Sequence, residues 1–296
     1  MKLARFSYEN DTHLGLVIQE KVLDLGLTNP LDLISRIKAA QLSEHDYLNR
    51  YYDLSSLPKF NFSELDKPES AQSNHRLLMP IIPPEIWACG VTYIRSKTAR
   101  ESETAAKGIY DRVYDANRPE VFFKATPNRC VGPNDSVCIR RDSKWTVPEP
   151  ELVVIVVLDH QVVGFTIGND MTARDIEGEN PLYLPQSKIY DACTALGPVI
   201  VTPSSIGSLD ELTIKLVVTR NDTTAFEGET KTGLMKRKIP ELMEFLTRDN
   251  PVPAGSACMT GTGIVPPDDF ALRDGDVVLI SIDTVGVLRN PVKQLG

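Results

Sequence analysis

The sequence predicts an α+β protein that is mainly β. Three features carry that expectation. Short runs rich in Val, Ile and Leu recur along the chain, Gly and Pro break them at close intervals, and helical patterning is confined to a few segments. The N-terminal 57 residues hold two such runs, Leu14-Gly-Leu-Val-Ile and Val22-Leu-Asp-Leu, followed by a helix expected over Pro30 to Ala40. A polar stretch from Lys59 to Arg76 then leads into Leu77-Leu-Met-Pro-Ile-Ile-Pro-Pro. Closely spaced prolines fix φ and remove amide donors, so extended chain at a domain boundary is expected there. Placing that boundary near Asn74 gives a small N-terminal α+β domain over residues 1–74 and a catalytic domain over residues 75–296. Within the latter, strands are expected at Ile86 to Val91, Val121 to Lys124, Leu152 to Leu158, Val162 to Gly168, Val199 to Thr202, Leu212 to Arg220 and Val277 to Asp283. Helices are expected over Tyr93 to Ala116 and Lys238 to Arg248. There is no internal repeat and no low-complexity tract.

Composition narrows the function classes. At 296 residues and 42% hydrophobic, the chain can bury a full core. Its longest uninterrupted apolar run, Leu152 to Leu158, is far short of a membrane span, and the opening Met-Lys-Leu-Ala-Arg-Phe-Ser has no signal-peptide apolar block. A soluble cytoplasmic protein with no membrane partner is expected. The five cysteines (Cys89, Cys130, Cys138, Cys193 and Cys258) form no CxxC pair, which suits reduced thiols better than a disulfide framework or a zinc site. A net charge of −8 and the lack of any basic stripe argue against nucleic acid as a partner.

Residues 145 to 158 read Trp-Thr-Val-Pro-Glu-Pro-Glu-Leu-Val-Val-Ile-Val-Val-Leu, which puts Glu149 and Glu151 at the entrance of a strand apolar enough to be buried on both faces. Side chains two apart on a strand share a face, so these carboxylates lie side by side with Pro150 turned away. Asp170 ends the next strand, and a turn at Asp159-His160 would fold that strand back beside the first. Three buried carboxylates repel one another unless a cation sits among them. An all-oxygen set without Cys or His favours a hard divalent cation, Mg²⁺ with Mn²⁺ as the alternative. Read from the residues alone, Glu149 and Glu151 also fit a solvated strand end, and Asp170 a turn.

Several longer segments now converge. Glu149-Pro-Glu-Leu is followed by Gly164-Phe-Thr-Ile-Gly-Asn-Asp-Met-Thr-Ala-Arg-Asp, Ser187-Lys188, Leu196-Gly-Pro-Val-Ile-Val, Thr260-Gly-Thr-Gly, Gly275-Asp-Val-Val and Gly286-Val-Leu-Arg-Asn-Pro-Val. From about residue 79 to the end, the chain resembles the fumarylacetoacetate hydrolase superfamily. The stretches Arg118-Pro-Glu-Val-Phe-Phe-Lys-Ala-Thr-Pro-Asn-Arg-Cys-Val-Gly, Trp145-Thr-Val-Pro-Glu-Pro-Glu-Leu and Glu179-Asn-Pro-Leu-Tyr-Leu-Pro-Gln-Ser-Lys-Ile-Tyr resemble its branch of 2-keto-3-deoxy-D-pentonate dehydratases. The resemblance implies a mixed β-roll or sandwich catalytic domain with a small N-terminal domain, assembled as a homodimer or tetramer. It matches Glu149, Glu151 and Asp170 to Mg²⁺ ligands and Lys188 to an active-site lysine. One departure bears on the reaction. Where the superfamily's hydrolases carry a water-activating histidine, this chain reads Gly90-Val-Thr-Tyr-Ile-Arg-Ser96, and its four histidines lie elsewhere. Glu120 stands where many relatives are apolar, alternating with Phe122 and Lys124 on one strand face.

These implications fit a dehydration of a small 2-oxo sugar acid. A base takes the C3 proton, hydroxide leaves C4, and a further shift from C5 gives 2,5-dioxopentanoate, with no hydrolytic water needed. Lys188 and Glu120 are the expected acid–base residues, although Lys188 also suits charge neutralisation and Glu120 a salt bridge with Arg118 or Lys124. Phe122 is expected in the pocket wall, and Gly261 and Thr262 in a turn that would bind the substrate carboxylate. Arg95 and Lys97 fit a solvated helix face better than substrate contact. The alternatives are a hydrolase or decarboxylase of diketo or oxo acids in the same superfamily, and a sugar-acid-binding protein without turnover.

Overall fold

A computed structural model describes residues 1–68, 75–104, 107–156 and 161–296. The chain is mainly β, as its broken apolar runs imply, and nearly all of its described strands belong to two sheets. In the larger sheet the strands run in the order Lys59–Asn61, Lys21–Leu27, Asp11–Ile18, Lys2–Tyr8, Thr194–Val201, Val162–Asp170, Pro150–Val156, Ser256–Met259, Ile86–Gly90 and Glu120–Ala125. The second sheet orders Thr223–Lys231, Thr213–Arg220, Val277–Ile282, Gly286–Gln294 and Val137–Ile139.

The strand Pro150–Val156 lies deep in the larger sheet, hydrogen-bonded to Val162–Asp170 on one side and Ser256–Met259 on the other. All seven of its residues are buried, which is why it reads as a continuous apolar run instead of an alternation. The expected strand is therefore present, shifted to include Pro150 and Glu151. Residues 157 and 158, the Asp159-His160 turn and the Asn74 boundary lie outside the described residues. N-terminal strand Lys2–Tyr8 pairs with Thr194–Val201, so the first hairpins extend the same sheet. A separate apolar cluster, centred on Leu3, Leu14, Leu33 and Leu48, holds the first two helices against them.

Helix Pro30–Ala40 starts where expected because the Asn29 side chain accepts from the Leu31 amide and Pro30 occupies the first turn. Helix Ile239–Thr247 follows its apolar spacing, burying Ile239, Leu242, Met243 and Leu246. The single helix expected over Tyr93 to Ala116 is instead two, Ile94–Glu103 and Ile109–Asp115. Extended Thr104 ends the first, and Gly108, at φ +79°, opens the second in a left-handed conformation that costs glycine little. No helix among the described residues is long and apolar enough to cross a membrane.

Candidate active site

Three carboxylates meet at one end of the central strand pair. The Asp170 amide donates to the Glu149 carbonyl (2.9 Å), and Glu151 lies opposite Gly168. Opposed residues of an antiparallel pair share a face, as do residues two apart, so Glu149, Glu151 and Asp170 all project to the same side. Their oxygens lie within 4.8 Å of one another, and no residue of the three is more than 3% exposed.

Buried charge at this density needs compensation, and four cations supply part of it. Lys188, at the end of the helix Leu184–Lys188, donates all three protons: to Glu149 (2.8 Å), Asp170 (2.7 Å) and the Thr172 hydroxyl (2.6 Å). Lys124 is fully buried and pairs with the other Asp170 oxygen at 2.7 Å. Arg174 reaches Glu149 at 3.0 Å and grips both oxygens of Glu103. The two Nη atoms of Arg100 bind Glu149 on one side and Glu177 (2.8 Å) on the other. Burial alone would raise the Glu149 pKa, but Lys188, Arg100 and Arg174 hold it well below the usual carboxylate range. Burial likewise opposes the Lys188 charge, yet Asp170, Glu149 and Glu177 outweigh it and raise the ammonium pKa, so this lysine is a cation here. Glu151 is the exception. It accepts the Gly261 amide and has no ion pair among the described residues; burial, then Asp170 and Glu149, push its pKa well above the usual range.

The triad opens into a small, narrow cleft. Glu120, Phe122, Lys188, Gly261 and Thr262 all line it. Glu120 stands opposite Gly90, where a Cβ would come within 2.0 Å of its Oε2, so the carboxylate occupies space that only glycine leaves free. Its pKa is raised to about 7, chiefly by burial and then by Glu177, with Arg100 and Lys188 opposing. Neither expected salt bridge forms: Lys124 is committed to Asp170, and the Arg118 guanidinium lies over the Phe245 ring. The Phe122 ring centre is 5.7 Å from the Lys188 ammonium. Gly261, at φ +94°, gives its amide to Glu151, while the Thr262 hydroxyl engages the backbone of Ile264. Arg95 is exposed and reaches the Val265 carbonyl, and Lys97 pairs with Asp111; neither lines the cleft.

Sequence reasoning passed over Arg100, Arg174 and Glu177, and offered Lys124 to Glu120 where the structure pairs it with Asp170. A helical signal was available for Arg100, which lies one turn beyond Ser96 and is buried on the same face. Lys124 follows Glu120 and Phe122 in strict alternation, but nothing local shows that its partner is Asp170.

A family model described as fumarylacetoacetate (FAA) hydrolase C-terminal matches residues 86–293. The chain belongs to the fumarylacetoacetate hydrolase family. Among curated members, it is 49% identical over 223 residues to 2-dehydro-3-deoxy-D-arabinonate dehydratase of Saccharolobus solfataricus, covering 74% of this chain and 75% of that one. It is 45% identical over 229 residues to the probable 2-keto-3-deoxyxylonate dehydratase of Haloferax volcanii, covering 77% and 79%. A solved structure of 2-keto-3-deoxy-D-arabinonate dehydratase complexed with magnesium and 2,5-dioxopentanoate matches with TM-score 0.85 and 39% identity, over 100% of this chain and 99% of that one.

The donor set fits a hard divalent cation. Three carboxylates converge with no thiol or imidazole among them, and Glu151 is a buried acid with no ion pair among the described residues. Glu149, Glu151 and Asp170 are thus the family member's candidate Mg²⁺ ligands.

Proposed function

We propose that this protein is a magnesium-dependent hydro-lyase that removes water from 2-keto-3-deoxy-D-pentonate, derived from arabinonate or xylonate, to give 2,5-dioxopentanoate. One observation carries the proposal: a buried three-carboxylate cluster shares its cleft with Glu120 and Lys188, in a chain matched end to end by a dehydratase solved with magnesium and that product.

Bound at the triad, a divalent cation would polarise the 2-oxo group and stabilise the negative charge left when the C3 proton departs. Lys188, an ammonium beside the same carboxylates, adds positive charge at that end of the cleft. When Glu149 and Asp170 are committed to a metal, Lys188 loses partners that hold its proton, and we assign it the removal of the C3 proton. Glu120, with a pKa near 7, exists as both acid and base at neutral pH. As the acid it protonates the hydroxyl leaving C4. As the resulting carboxylate it takes a C5 proton, while C3 regains one, and the enol becomes the terminal aldehyde. The net change is loss of one water. Phe122 walls the cleft, and Thr262 and Gly261 shape its floor beside Glu151.

Ser96 favours elimination over hydrolysis. Its hydroxyl donates to the Tyr93 carbonyl (2.8 Å), and no histidine lines the described cleft to activate water. Incubation of the purified protein with Mg²⁺ and 2-keto-3-deoxy-D-pentonate, followed by mass spectrometry, tests the proposal. The intact five-carbon skeleton should appear minus one water; pyruvate with a two-carbon fragment as the main products would refute it. The same reading assigns the enzyme to the cytoplasm, in keeping with five free cysteines, and to a homodimer or tetramer, for which exposed Leu182 and Leu234 offer apolar surface.

A further inference from the structure

Five carboxylates line the cleft, Glu120, Glu149, Glu151, Asp170 and Glu177, against two cations, Arg100 and Lys188. Both cations are already committed. Lys188 spends its three protons on Glu149, Asp170 and Thr172, and Arg100 is shared between Glu149, Glu103 and Glu177. Three of the five carboxylates form the candidate metal cluster. The other two have no such role, and Glu177 has none in the chemistry set out above.

Glu177 is held in place with some care. It is 4% exposed, on the helix Arg174–Glu179, and the guanidinium that fixes it also fixes Glu149, so it stands one guanidinium away from the triad. The next residue, Gly178, lets its helix approach the helix Ile94–Glu103 closely: a Cβ there would lie 2.9 Å from the Glu103 carbonyl oxygen. Glu177 is also the charged neighbour with the greatest effect on Glu120. Both line the same cleft as the triad but stand outside it, without an uncommitted cation among the described lining residues.

We propose that Glu177, with Glu120 beside it, sets the cleft's substrate specificity: it admits 2-oxo acids whose far end is hydroxylated and uncharged, and excludes those with a second carboxylate. The inference rests on the function proposed above. A 2-oxo acid that binds the triad through C1 and C2 extends its remaining carbons toward Glu120 and Glu177. Hydroxyl groups there can donate to carboxylate oxygens, whereas a terminal carboxylate only accepts and meets like charge. Rejection by repulsion is an effective route to specificity, because it weakens the wrong ligand without strengthening the right one.

A matched pair of unreactive probes isolates the effect. 2-Oxopentanoate and 2-oxoglutarate share a five-carbon skeleton and differ only in the carboxylate at C5. Calorimetric titration of the Mg²⁺-loaded wild-type protein should give clearly tighter binding of 2-oxopentanoate. Glu177→Gln keeps the side chain's length and an oxygen for Arg100, and should reduce the preference at least tenfold, about 1.4 kcal/mol, by tightening 2-oxoglutarate alone. Glu120→Gln, which also fits the space left by Gly90, should shift it in the same direction and serves if the first variant fails to fold. Equal binding of both probes by the wild type overturns the proposal, as does an unchanged preference in the folded variants or a parallel weakening of both probes. Binding of neither probe by the wild type overturns the proposed function, and this inference with it.

Discussion

Replacing Glu151 with Gln separates the metal-site interpretation from a purely structural one, because the two require opposite effects on stability. Glu151 is buried among two other carboxylates whose oxygens lie within 4.8 Å, and has no ion pair of its own among the described residues. At an effective dielectric of about 20, each like-charge pair at that separation costs ~3.5 kcal/mol if fully ionised. The cost is reduced because Glu151 can protonate, and its pKa is raised well above the usual range, first by burial and then by Asp170 and Glu149. The sign follows from linkage. The folded protein binds this proton more tightly than the unfolded chain, so the contribution of Glu151 to metal-free stability is greatest below the ordinary Glu pKa of about 4.3 and is lost as pH rises through the elevated folded value. Gln keeps an oxygen for the Gly261 amide and cannot ionise. At pH 8 without metal, Glu151→Gln should therefore be more stable than wild type by about 1–3 kcal/mol, several degrees in Tm, with a flatter pH dependence. With Mg²⁺ the order should reverse: the wild type gains ~4.1 kcal/mol at about 1,000 times its Kd, and the variant, lacking one of three anionic ligands, gains far less and loses turnover. Thermal melts with and without Mg²⁺, at pH 5 and pH 8, read all of this. A variant destabilised in chelator that still shows the wild-type Mg²⁺ shift would refute the reasoning, as would full wild-type activity in chelator.

Lys188→Met removes a buried cation from Glu149 and Asp170, so it should cost roughly 3–5 kcal/mol in metal-free protein and recover part of that in Mg²⁺. It should also lower turnover by about 10²-fold or more and abolish solvent-deuterium exchange at C3; near wild-type turnover would remove Lys188 from the chemistry. Glu120→Gln should bind Mg²⁺ normally, lose turnover on a similar scale, and erase a limb near pH 7 that the wild-type rate profile should show, the acid form of Glu120 being lost as pH rises through that value. Gly90→Ala tests the same carboxylate without touching it, since the new Cβ would lie 2.0 Å from Glu120 Oε2. A folded Gly90→Ala protein with turnover reduced at least tenfold is expected, and unchanged kinetics would show that the position of Glu120 is immaterial.

The strands and the triad were legible because their causes are local. A run such as Leu152-Val-Val-Ile-Val needs burial on both faces whatever surrounds it, and the two-residue spacing of Glu149 and Glu151 fixes their shared direction before any tertiary contact forms. Asp170 was found by a similar step, since antiparallel neighbours face each other. The segment from Tyr93 to Ala116 was less legible. Its polar, weakly periodic sequence does not reveal that Gly108 adopts a left-handed conformation that separates two helices. What only the tertiary structure decided is how the buried charge is compensated. Arg100, Lys124, Arg174 and Lys188 come from four separate elements, and Arg100 lies 49 residues from Glu149 in sequence. Coulomb attraction depends on distance in space and on local dielectric, neither of which is written in sequence spacing, so which cation meets which carboxylate is fixed only when those elements pack together. Among the described residues, the same packing leaves Glu151 without an ion pair and brings Glu120 and Glu177 to one cleft.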